Sequence, residues 1–185
     1  MPLLSRHSTP SRQLGPPGPD DSQLLAMLDA AVHVPDHGRL TPWRFVRIHG
    51  QTRHALGEAL ATRLLERDGQ ASPDKLAKER TRFEHAPCII AVVARLTANH
   101  KIPESEQIQS GSCACFSLLL AAHEQGFGAQ WLTGWAAYDP VISSLLGLSD
   151  NERILGFIHI GSIITAHADR ERPDPRALLT DWQPP

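Results

Sequence analysis

Residues 108–125 read IQSGSCACFSLLLAAHEQ, a run that is apolar on nearly every side of a helix and stops at Gly126. A helix with no broadly polar face belongs at the centre of a fold or at an interface between chains. It is expected over about residues 104–125. Downstream, AQWLTG reads as a short strand, DPVISSLLG as a helix with Asp139 as cap and Pro140 at its first position, and RILGFIHIGS as a last strand. Upstream, PCIIAVVAR is apolar and rich in β-branched residues, the pattern of a strand buried on both faces. Before it lie SPDKLAKERTRFEHAP, capped by Ser72 with Pro73 at the first position, and TRHALGEALATRLLERDG, with Leu56, Leu60 and Leu64 in register and Gly69 at its end. Further upstream come the strand WRFVRIHG and the amphipathic helix DDSQLLAMLDAAVHV, with Asp20, Asp21 and Ser22 as candidate caps. Four strands interleaved with five helices point to a layered α/β or α+β domain.

The sequence of 185 residues fits one domain and is long enough to bury roughly 70% of its unfolded surface. Lys and Arg number 18 against 20 Asp and Glu, so there is no basic surplus to hold a nucleic acid by counterion release. The longest apolar run, CIIAVVA, ends at Arg95, well short of the ~18 residues of a membrane span. A soluble protein is expected. Cys88, Cys113 and Cys115 are odd in number and form no zinc-type pair, which favours a reducing cytoplasm. The N-terminal nineteen residues lack the apolar segment of a signal peptide.

Little in the chain suggests side-chain catalysis. There is no GxSxG and no HExxH, and Cys113 and Cys115 lie two apart on the expected helix, pointing to different sides. No spacing asks for a metal, and His100, His159 and His167 read as loop, strand and tail histidines. GFGAQ follows a helix, whereas a dinucleotide fingerprint needs GxGxxG after a strand. Two stretches do carry binding chemistry. In SRHS, Arg6 offers a bidentate fork and Ser8 a hydroxyl, both suited to an anion. In VPDHGRLTPW, residues 34–43, prolines stiffen a loop that carries Asp36, His37 and Arg39. Asp36 there either caps the turn or orients His37.

Taken together, the early Arg-x-Ser, the PDHGRLTPWRF loop, the central helix running into QGFGAQWLTGW and the final GFIHIGS resemble the nitroreductase family of flavin-dependent oxidoreductases, in its small branch. The resemblance covers residues 6–174. It implies a single α+β domain over 1–185, with a mostly antiparallel central sheet flanked by helices and the long helix at a homodimer interface. Residues 1–19 would form the phosphate segment and 165–185 an extended tail. One FMN per subunit is implied, held by both subunits: Arg6, His7 and Ser8 at the phosphate and ribityl chain, His33 and His37 near the flavin, and Trp131, Leu132 and Thr133 beside the ring. Arg39 stands where larger relatives carry an Asn that contacts the ring. Arg170 and Arg172 are the candidates for a second basic pair at the phosphate. Ala121, Ala122, His123, Glu124, Gln125 and Gly126 match a nicotinamide contact.

The implied reaction takes hydride from NADH or NADPH and passes electrons to a nitroaromatic, quinone or similar flat small-molecule acceptor in a two-step exchange. The cofactor does the chemistry, so no catalytic acid or base and no metal is expected. A flavin carrier or sensor without turnover is the alternative, and a dimeric interaction module without cofactor is a third reading.

Overall fold

The computed structural model describes residues 2–165 and 168–184; His167 lies outside them. The chain runs α1 (Pro2–Ser5), β1 (Leu14–Gly15), α2 (Asp21–Val32), β2 (Trp43–His49), α3 (Gln51–Arg67), α4 (Pro73–Arg80), β3 (Cys88–Arg95), α5 (Glu104–Glu124), β4 (Gly128–Leu132), α6 (Pro140–Leu145) and β5 (Glu152–Ile163). Short 3-10 turns cover Ser11–Gln13, His37–Arg39, Trp135–Tyr138 and Pro175–Ala177. The strands form one sheet in the order β1-β5-β3-β2, with β4 also on β5, and every pairing is antiparallel.

β3 shows how the sequence builds the layers. Because side chains alternate across a strand, Cys88, Ile90 and Val92 face one core and Ile89 and Ala91 the other. The first core is closed by Leu24, Met27 and Ala31 of α2 and by Cys115, Leu118 and Leu119 of α5. The second is closed by Leu56 and Leu60 of α3, Ile142 of α6 and Phe83. This is an α+β fold of helices on both faces of an antiparallel sheet. α5 buries Gly111, Ala114, Cys115, Leu118 and Leu119 inward but leaves Gln109, Cys113 and Phe116 exposed and Leu120 half-buried.

Two expectations need correction at their edges. The helix read from SPDKLAKERTRFEHAP ends at Arg80, because Phe83 is only 1% exposed and the chain must turn to carry it into the core. β1 and α1, with two and four residues, are too short to leave a periodic signal and raise the count to five strands and six α-helices among the described residues. Of the candidate caps of α2, Asp20 takes the role, accepting from Gln23 N while the Gln23 side chain accepts from Asp20 N. No helix among the described residues is long and apolar enough to cross a membrane, and no cluster there could hold a metal ion.

Candidate functional site

The N-terminal segment is laid along the C-terminal end of α5 and the start of β4. Thr9 N donates to Ala129 O at 3.0 Å and Ser11 N to Gln130 Oε1 at 2.6 Å. Ser5 Oγ lies 3.1 Å from His123 Nε2, and the His7 and His123 rings meet edge to face at 6.1 Å. From the other end of the chain, Arg172 pairs with Asp169 at 2.6 Å, and its Nη2 donates to Arg6 O at 3.3 Å across 166 residues of sequence. A cavity of about 360 Å³ results, lined by Arg6, Ser8, Arg170 and Arg172 with Asp169. Three guanidiniums against one carboxylate leave two positive charges. Partial burial, and after it the neighbouring Arg172, lower the pKa of Arg6 below its ordinary value. An anion in the cavity would relieve that repulsion.

The VPDHGRLTPW loop is fastened to the other end of α5. Ser110 Oγ donates to Pro35 O at 2.7 Å and accepts from Trp43 Nε1 at 3.0 Å. The Asp36 carboxylate accepts from Leu40 N at 3.0 Å and Thr41 N at 2.8 Å, so Asp36 caps the turn. His37 Nδ1 instead meets Glu106 Oε2 at 2.7 Å. The backbone is left-handed at Gly38, Arg39 and Thr41, with φ of 68°, 55° and 48°, a strain of order 1–3 kcal/mol for each residue other than Gly. The Arg39 side chain is exposed. His33, at the C-terminal cap of α2, lies 2.7 Å through Nδ1 from the Asp29 carbonyl of its own helix.

Trp131 is held by an irregularity in β5. The β3–β5 register shifts around Leu155, and β5 there runs beyond the end of β4. The Leu155 carbonyl is taken by Trp131 Nε1 at 3.1 Å, with the indole lying over Gly156, where any Cβ would collide with it. Leu132 and Thr133 follow, half-buried.

The structure thus gathers Arg6, Ser8, Arg170 and Arg172, and sets His7 beside His123. Within one chain it does not bring His37 to them: Glu106 and His123 are 17 residues apart on α5, about 25 Å at the rise of a helix. In the stretch matched to nicotinamide, Ala121 and Ala122 are buried at 6% and 0%, which leaves His123, Glu124, Gln125 and Gly126 towards the surface. Gln125 Nε2 donates to Gln23 O at 3.2 Å. Sequence reasoning missed Asp169, Glu106 and Gly156, whose partners lie 3, 69 and 25 residues away. Only the first was within reach of a local pattern. A larger groove of about 760 Å³ between α5, α6 and the start of β5 carries several serines and no cationic cluster.

An antiparallel five-stranded sheet between helical layers, with a cationic cavity where the two flanks of the chain meet, defines the class of the molecule. The sequence model of the Nitroreductase family matches residues 3–162, and the chain belongs to that family. It is 34% identical over 180 residues to the Escherichia coli (strain K12) protein named "Putative NAD(P)H nitroreductase YdjA", covering 96% of each chain. The solved nitroreductase-like family protein of Bacillus cereus superposes with a TM-score of 0.81 at 23% identity, over 98% of this chain and 94% of that one. A Bacteroides fragilis nitroreductase with bound FMN superposes with a TM-score of 0.72 at 20% identity, over 98% and 97%.

Proposed function

We propose that the protein is a cytoplasmic FMN-dependent oxidoreductase, active as a homodimer, that takes hydride from NADH or NADPH and reduces a nitroaromatic, quinone or similarly flat acceptor. The observation that carries this reading is the cavity where Arg6, Ser8, Arg170 and Arg172 converge. Its two unbalanced positive charges match a phosphate monoester, which carries a charge of about −1.5 to −2 at neutral pH. FMN has such a phosphate; riboflavin does not. The names of the relatives, NAD(P)H nitroreductases, and the FMN bound by the Bacteroides fragilis protein point the same way.

When bound, FMN supplies the two-electron chemistry, receiving hydride from the nicotinamide and passing electrons to the second substrate. The chain's own residues bind and orient. The guanidiniums and Ser8 grip the phosphate, and the His7–His123 contact keeps the segment against α5. The Trp131 indole, fixed on Leu155 O, walls the ring side together with Leu132 and Thr133. His37 offers a hydrogen-bonding group that can also carry positive charge, which favours negative charge developing on the ring.

That last role needs a second copy. The separation of about 25 Å along α5 exceeds the reach of one FMN. A two-fold axis crossing α5 near its middle sets two such helices antiparallel, so the His37 loop of one copy lies beside the phosphate segment of the other. The outer face of α5 supports this pairing: Gln109, Cys113, Phe116 and Leu120 recur at spacings of 4, 3 and 4, the seam of packed helices.

The test is the purified protein's flavin. FMN should be released on denaturation, and NADH or NADPH should reduce the bound flavin anaerobically by one equivalent, with repeated turnover only when an acceptor is present. Arg6→Ala is expected to weaken FMN binding by about 1.5–3 kcal/mol, the contribution of hydrogen bonds to charged groups, and to leave riboflavin binding unchanged. Equal affinity of the native protein for FMN and riboflavin would remove the phosphate assignment. Flavin that binds but is not reduced by either nucleotide would identify a carrier or sensor.

A further inference from the structure

We propose that Glu106 is a positioning residue for the flavin site, holding the His37 imidazole so that its Nε2 is turned towards the cofactor bound by a second copy; this rests on the shared site described above. A carboxylate only accepts hydrogen bonds, so at 2.7 Å from Glu106 Oε2 the His37 Nδ1 carries the proton. Nε2 is left as the working atom, an acceptor when the ring is neutral and a donor when it is charged. Carboxylates fix histidine ligands of metals in the same way.

Stability does not explain the pair. The two side chains are 65% and 43% exposed, and ion pairs that open to solvent contribute little to folding. Yet the loop that presents His37 is fastened to α5 by Ser110 and Trp43, turned by Asp36 and held left-handed at three residues. Backbone kept in such conformations belongs to sites that need a side chain in one place. Glu106 completes this arrangement from α5, at the end of the helix away from the phosphate cavity.

Glu106 also lies in the first turn of α5, where a negative charge favours the helix by itself. The experiment separates the two roles by titrating FMN and riboflavin into flavin-stripped protein, followed by flavin fluorescence. Glu106→Ala and His37→Gln should each weaken both flavins by about threefold to tenfold, the range of one neutral hydrogen bond. Riboflavin should respond as FMN does, because the pair acts at the ring. Glu106→Gln, whose amide oxygen still accepts from Nδ1, should bind nearly as the native protein does. The double variant Glu106→Ala/His37→Gln should be no worse than His37→Gln alone, since two residues acting through one contact are not additive. An unchanged Glu106→Ala variant overturns the proposal. So does a Glu106→Ala effect that persists without His37, or a Glu106→Gln variant as impaired as Glu106→Ala, for then the charge at the helix start is what matters. Native protein that binds no flavin overturns the functional reading itself, which the variants do not probe.

Discussion

His159 lies on β5 at 1% exposure, its ring stacked on Phe83 at 5.6 Å, and Nδ1 has no hydrogen-bond partner among the described residues. Burial, with Arg82 and His85 nearby, lowers its pKa to about 3. The unfolded chain protonates this histidine near pH 6.5, so between about 6.5 and 3 it binds more protons than the fold does. Stability should therefore fall as the pH drops through that window. Glu152, held at about 2 by Arg44, adds its own loss only below about 4.5, which leaves the upper part of the window to His159. Urea midpoints from pH 6.5 to 4.5 should decline in the native protein and stay flatter in His159→Phe, which keeps the stacked ring without its titration. Parallel profiles would show that His159 is not the source. The sequence revealed this residue as a strand histidine, but the ring it stacks on is 76 residues earlier.

At the scale of elements, the unbroken apolar, β-branched run of PCIIAVVAR and the helical spacing of the flanking segments made every long element legible. What was not legible was contact between elements. Glu106 meets His37 only because the loop folds onto α5, and Gly156 matters only because Trp131 lies across it. Gly156→Ala puts a methyl group where the rigid indole sits, and overpacking of this kind costs about 1–3 kcal/mol. The expected result is a lower urea midpoint together with weaker FMN binding, since the displaced Trp131 loses Leu155 O. If both measurements match the native protein, Trp131 is not fixed from β5.

For the whole molecule, the telling residue is Phe116, 39% exposed on the outer face of α5. The composition of the long helix leads one to expect an interface, and Gln109, Cys113, Phe116 and Leu120 on its outer face are the seam that the proposed dimer would use. Phe116→Glu places charge in the middle of that seam. Sedimentation at micromolar concentration should give a dimer for the native protein and a monomer for the variant, with FMN affinity falling as the second copy's loop is lost. Circular dichroism should show the variant still folded. A folded monomer with native FMN affinity would mean that one subunit holds the whole site. The side chains of Arg6 and Ser8 suit an anion by residue type, but that they meet Arg170 and Arg172 depends on the path of the chain around the sheet.

The meeting of Arg6 and Arg172 makes the two flanks of the chain one mechanical unit. In the proposed function a phosphate between these guanidiniums would bridge groups 166 residues apart and favour the fold by mass action, since only the folded chain brings them together. With the phosphate gone, the flank that carries Arg172 should be cut faster by a protease, while the N-terminal segment keeps its own bonds to Ala129 and Gln130.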